Sequence, residues 1–82
     1  MEKYHVEVTD TFGGEPNYCW GKSYIVAASS PQGAITKVAK ETGYRFRKDW
    51  DYGDFVRYNA KGACVCAFVE YFDQDIHEGK EL

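Results

Sequence analysis

One helix, with both of its ends written into the chain and extended segments on either side, constrains this sequence more than anything else in it. Ser30 can accept a backbone N–H as N-cap, and Pro31 suits the first helical position, where a missing N–H costs nothing. Ser29 with Gln32 forms a competing capping box one residue earlier. Ala34, Ile35, Val38 and Ala39 make one apolar stripe with Thr42 at its edge, while Lys37, Lys40 and Glu41 face water. Gly43 supplies a left-handed C-terminal cap. The stripe is built of small side chains, so the helix can lie close to a sheet. The run Ile25-Val26-Ala27-Ala28 just before it has no alternation, which predicts a central strand buried on both faces.

The remaining segments supply that sheet. Residues 2–10 alternate, with Tyr4, Val6 and Val8 on one face and Lys3, His5, Glu7 and Thr9 on a wet face. Residues 11–17, with Gly13, Gly14, Pro16 and Asn17, turn the chain, and residues 18–28 form a second strand with a bend or bulge at Gly21. Residues 44–54 mix aromatics with both signs of charge and read as a connection holding at most a short strand. Residues 55–59 and 63–72 form a hairpin about the turn Ala60-Lys61-Gly62. The polar residues 73–82 read as a frayed tail or a marginal last turn. The expectation is one α+β domain over residues 1–72, in the order β-β-α-β-β, with an antiparallel sheet and the helix on one face.

Composition narrows the function classes. Aromatics make up 17% of the chain and Leu occurs once, so the core must be built from the Tyr, Phe, Trp, Val and Ile that strands favour. A net charge of −3 argues against a general nucleic-acid binder. Residues 1–48 carry seven basic and five acidic side chains and residues 49–82 three basic and eight acidic, which marks the C-terminal part as the acidic surface. No signal-like start or membrane-length apolar run is present, and a cytoplasmic protein of a bacterial host cell is expected.

No catalytic set emerges from spacing. Cys64 and Cys66 share a predicted strand face and Cys19 lies in another strand, but the spacing is not that of a zinc knuckle, and buried Cys is a common small core residue. Asp49, Asp51 and Asp54 around Gly53 resemble the start of a calcium loop without its downstream Glu. His5 and Glu7 share a face, with no nucleophile or second carboxylate placed beside them. Gly13 and Gly14 lack the rest of a phosphate loop. No enzyme activity, cofactor or metal is therefore expected. Surface recognition is the class that remains. Trp50 and Tyr52, flanked by Asp49, Asp51 and Asp54 and joined by Glu70, Asp73 and Asp75, form a candidate protein-binding surface. The sequence leaves open whether Trp50 anchors an interface or tucks under the sheet edge as core.

The stretch Val8-Thr9-Asp10-Thr11-Phe12-Gly13-Gly14-Glu15-Pro16-Asn17-Tyr18-Cys19-Trp20, with Gly62-Ala63-Cys64-Val65-Cys66-Ala67-Phe68, resembles a group of small uncharacterised proteins from phages and other bacterial mobile elements. In size, acidity and element order the chain is also similar to several anti-CRISPR proteins, a likeness of architecture that carries over no residue role. The resemblance implies a non-enzymatic inhibitor that binds a host defence complex, a CRISPR effector complex foremost. Direct nucleic-acid or membrane contact is not expected, and an exposed strand edge would permit a homodimer. The alternatives are a small nucleic-acid-binding accessory domain, using Arg45, Arg47 and Lys48 beside the sheet, and a structural or assembly protein of the element.

Overall fold

A computed structural model describes residues 2–10 and 21–82. Six strands and one helix follow in order: β1 Glu2–Asp10, β2 Gly21–Ala28, α1 Pro31–Thr42, β3 Phe46–Asp51, β4 Phe55–Ala60, β5 Val65–Tyr71 and β6 Lys80–Glu81. The sheet runs β3-β4-β5-β1-β2-β6 and is antiparallel except where β6 adds parallel to β2. The α+β class and the single helix are as the sequence implies, but four strands follow the helix where two were expected. Among the described residues no helix is long and apolar enough to cross a membrane.

The helix forms where its caps place it. Ser30 Oγ accepts the Gly33 N–H at 3.1 Å, which selects Ser30 over Ser29 as N-cap. Gly43, at φ 82°, closes the C-terminus by donating to the Ala39 carbonyl. Ala34, Ile35 and Val38 are fully enclosed against Tyr4, Val6 and Val8 of β1, Tyr24, Val26 and Ala28 of β2, Val56, Tyr58 and Ala60 of β4, and Val65, Ala67 and Val69 of β5. Every second strand residue therefore faces the helix and builds one core. The residues between them form the opposite, helix-free face.

Three departures from the sequence reading have physical causes. Residues 46–51 are a full strand because β3 is the sheet edge: only Phe46 is even partly covered, and a bulge between Lys48 and Trp50 shifts the alternation, so no buried period survives to be read. Strand β2 is not central. Its register with β1 is unbroken from Gly21 to Ala28, with no bulge at Gly21, and Ile25 is buried on the helix-free side even though only the two residues of β6 lie beyond it. Of the two forms expected for residues 73–82, a frayed tail or a marginal last turn, the turn is present at 74–76, and the chain continues past it. Ile76 and His77 both donate backbone N–H groups to the Asp73 carbonyl, and Leu82 donates to the Ile25 carbonyl, so this segment folds back along the sheet. Gly79 permits the approach, because a Cβ there would lie 2.7 Å from the Ser23 backbone. Cys64 precedes β5 and is exposed whereas Cys66 is buried, so the two do not share a strand face. The expected loop at 11–17, the start of the expected second strand and Cys19 lie outside the described residues.

Candidate functional site

Strand register sorts the helix-free face into rows, since directly opposed residues share a face. One row runs Trp50, Arg57, Phe68, Glu7 across β3, β4, β5 and β1. The next runs Phe55, Glu70, His5, Ile25 across β4, β5, β1 and β2. The C-terminal segment covers the β1–β2 end of this face and leaves the β3–β4 end open.

At the covered end both histidines of the chain meet, 72 positions apart in sequence. Glu70 Oε1 receives His77 Nε2 at 2.6 Å and His5 Nδ1 at 3.2 Å. The two imidazoles stack with centroids 4.2 Å apart and planes inclined by only 2°. Phe72 tilts against His77, and its backbone N–H donates to the Lys3 carbonyl, which pins the segment to β1. The His77 tautomer follows from its neighbours. The Asp73 N–H donates to His77 Nδ1 at 2.9 Å, so Nδ1 carries a lone pair, the proton sits on Nε2, and Nε2–H donates to Glu70. His5 in turn donates through Nδ1–H to the same oxygen. The Asp73 carboxylate accepts the Asp75 N–H and completes the turn.

His5, expected on a wet face, is only 6% exposed. Burial lowers its pKa first, and a charge on His77 would lower it further, while the hydrogen bond and charge of Glu70 and the charge of Glu7 oppose this. Two imidazolium charges about 4 Å apart would repel by roughly 4 kcal/mol at an effective dielectric of about 20. One carboxylate can balance one of them.

Two histidines and a glutamate are also the donor set of many zinc sites, and these ligand atoms lie within 4.8 Å of one another. The arrangement does not fit a metal. Imidazole lone pairs lie in the ring plane, and two planes inclined by 2° do not converge on one ion. A ligating Nε2 also needs its partner nitrogen to donate a proton outward. Here a backbone donor points at that nitrogen instead. As arranged, the three side chains share their protons among themselves.

The open end carries most of the surface the sequence pointed to. Trp50 is 63% exposed, which excludes the reading that it tucks into the core. Tyr52 stacks on Phe55 at 4.8 Å, and Phe55 meets Phe68 edge-on at 5.7 Å. The Arg57 guanidinium lies over the Phe68 ring and pairs with Asp49 at 3.5 Å. Asp51 caps the hairpin by accepting the Gly53 N–H. Asp54, Glu70, Asp73 and Asp75 line one shallow groove of about 600 Å³ with Ile76 and His77. Of the eight expected residues, then, four share this groove and Tyr52 borders it through Phe55. Asp49 and Asp51 are occupied in a pair and a turn, and no calcium loop is formed from them. The opposite end of the same hairpin is basic, with Arg47, Lys48 and Lys61 around a second depression.

The histidine pair is what the sequence reading missed. Alternation placed His5 on the right face, and a β1–β5 pairing would have set Glu70 opposite it. The path of residues 73–79 has no sequence periodicity, so nothing placed His77 above them. No protein-family model, curated protein or solved structure matches the chain.

Proposed function

We propose that the protein is a non-catalytic binding module that docks on a basic protein surface through the groove of Asp54, Glu70, Asp73 and Asp75 and its aromatic border. The observation that carries this reading is the meeting of four carboxylates with exposed apolar area: Ile76 is 73% exposed in the groove, and Tyr52 and Trp50 stand on the adjoining hairpin. Such a surface combines long-range steering by charge with rigid aromatic area at contact. Taken with the resemblance to phage and mobile-element proteins, the reading extends to an inhibitor that occupies the nucleic-acid groove of a host defence complex, with a CRISPR effector complex as the first candidate.

Co-expression with purified effector complexes, followed by pull-down and interference assays, tests it. Binding and loss of interference that disappear in Asp54→Lys and Tyr52→Ala would support it; absence of both across effector types would sink it. A second reading, nucleic-acid binding on the sheet, is favoured by one observation, the Arg57–Phe68 stack beside Arg47 and Lys48. It predicts a salt-dependent mobility shift of single-stranded DNA or RNA by the isolated protein, where docking through the acidic groove predicts none.

A further inference from the structure

We propose that the His5–Glu70–His77 group is a proton-operated latch that fastens residues 73–82 to the sheet and opens on mild acidification. The latch stands on the geometry of the protein alone. As a control on docking it rests on the reading above, because Glu70, Asp73, Asp75, Ile76 and His77 are also walls of the acidic groove.

The device is a competition for one lone pair. With its proton on Nε2, His77 can take a second proton only at Nδ1. That nitrogen is already the acceptor for the Asp73 N–H, at 2.9 Å. Protonation of His77 and closure of the 73–77 turn therefore exclude one another. An added proton would also leave a donor facing a donor, Nδ1–H against the Asp73 N–H, so the turn must move apart to relieve it.

The surroundings sharpen the response. Among the described residues Glu70 from β5 is the carboxylate bonded to both rings, and Glu7 on β1 adds a more distant negative charge. Asp73 and Asp75 belong to the turn, where the Asp73 carboxylate is engaged by the Asp75 N–H, and Asp54 reaches the groove from the β3–β4 hairpin. Lys3 pairs with Glu81 at 3.8 Å and lies over the Phe72 ring, so its charge is directed to Glu81 at the segment's far end. The charge of Glu70 can stabilise one imidazolium. A second, stacked face to face at 4.2 Å, has no further bonded carboxylate and repels the first. Imidazole is the side chain whose charge ordinarily changes between about pH 5 and 8, which sets the range the test must span.

The segment is also poised to detach. Beyond this group the segment is tied to the rest of the fold by the Leu82 N–H to Ile25, the two-residue β6, and the exposed Lys80–Glu41 and Lys3–Glu81 pairs, while the two backbone bonds to the Asp73 carbonyl only close its own turn. Opening it would uncover His5 and Ile25 and dismantle one wall of the groove.

Amide hydrogen exchange of the isolated protein, corrected for intrinsic rates and compared at about pH 7.5 and 5.5, tests the latch without any partner. Protection across residues 73–82 is expected to fall by about tenfold at the lower pH, the weight of one net hydrogen bond, with protection at Val6 and Val69 retained. His77→Asn offers a non-titrating acceptor to the Asp73 N–H and is expected to remove the pH dependence; His5→Phe keeps the stacked ring without its charge and is expected to reduce it. If either variant fails to fold, the comparison of segment and core amides in the unaltered protein still decides. Equal protection at both pH values would overturn the proposal, as would a pH response that persists in His77→Asn, or stoichiometric Zn²⁺ binding that perturbs both histidines. Absence of partner binding alongside the expected fall in protection at low pH would count against docking and leave the latch standing.

Discussion

The two ends of the helix-free sheet face are built from the same strands and differ in what happens above them. At the β1–β2 end the C-terminal segment lies down on the sheet, and polar groups there are chained together: His5 and His77 both to one Glu70 oxygen, and His77 to the Asp73 backbone. At the β3–β4 end nothing among the described residues covers Trp50, and the aromatics pack sideways on one another instead. The covered end shows how a small domain can bury a histidine by giving it a partner, here a half-buried carboxylate. The open end shows what the same face looks like without a cover, with charge and aromatic surface turned outward. The acidic groove lies where the two ends meet, with Asp54 from the β3–β4 hairpin and Asp73 and Asp75 from the covering segment, so the proposed recognition and its control share that seam.

Substitutions can break this contrast in a graded way. Tyr58 lies beneath the open end in the shared core, so Tyr58→Ala should cost about 3–5 kcal/mol in urea unfolding, in line with other buried aromatic truncations. Glu70→Ala removes the acceptor of two imidazole N–H groups and should cost about 2–3 kcal/mol at neutral pH, whereas Asp54→Ala in the same groove should stay within about 0.5 kcal/mol. Gly79→Ala forces a Cβ against the Ser23 backbone and should cost about 1–2 kcal/mol, with exchange at Leu82 rising before that of β1.

Stability should also depend on pH, with a sign set by His5. Its folded pKa lies below the ordinary 6.5, so the unfolded chain binds the proton first. The stability it contributes is complete above pH 6.5 and is lost as pH falls below that value toward the folded pKa. Urea midpoints measured across this window should decline, and His5→Phe should flatten the decline. The smallest effect is expected at Trp50. Trp50→Ala should change stability by no more than about 0.5 kcal/mol despite the size of the side chain, and a cost above about 1.5 kcal/mol would mean the open end is not open.

How much of this was legible in the chain depends on burial. The helix and its stripe could be read because caps and a 3.6-residue period act locally, and Ser30, Pro31 and Gly43 do what their chemistry dictates. Tyr4, Val6 and Val8 could be read because β1 has one enclosed face. Strand β3 could not, because an edge strand with nearly every side chain in water leaves no pattern, and the bulge after Lys48 erases what remains. The run Ile25–Ala28 signalled burial on two sides, which Ile25 shows on the helix-free side, but a place at the middle of the sheet did not follow, since only the two-residue β6 lies beyond β2. For the candidate surface, the acids and aromatics were named from composition and spacing, and Asp54, Glu70, Asp73 and Asp75 do converge. Their link to His5 and His77 was hidden, because it depends on a turn closed by an imidazole accepting a backbone N–H, an interaction with no sequence period.

The most direct test of the account is the tautomer and titration of His77, followed by nitrogen-15 NMR of its imidazole together with the Asp73 amide from about pH 8 to 5.5. The account predicts a proton on Nε2 and a bare Nδ1 at the upper end, and an Asp73 amide signal that moves on the same curve as the His77 ring. A proton on Nδ1 at pH 8, or an Asp73 amide that stays fixed while His77 becomes charged, would contradict it.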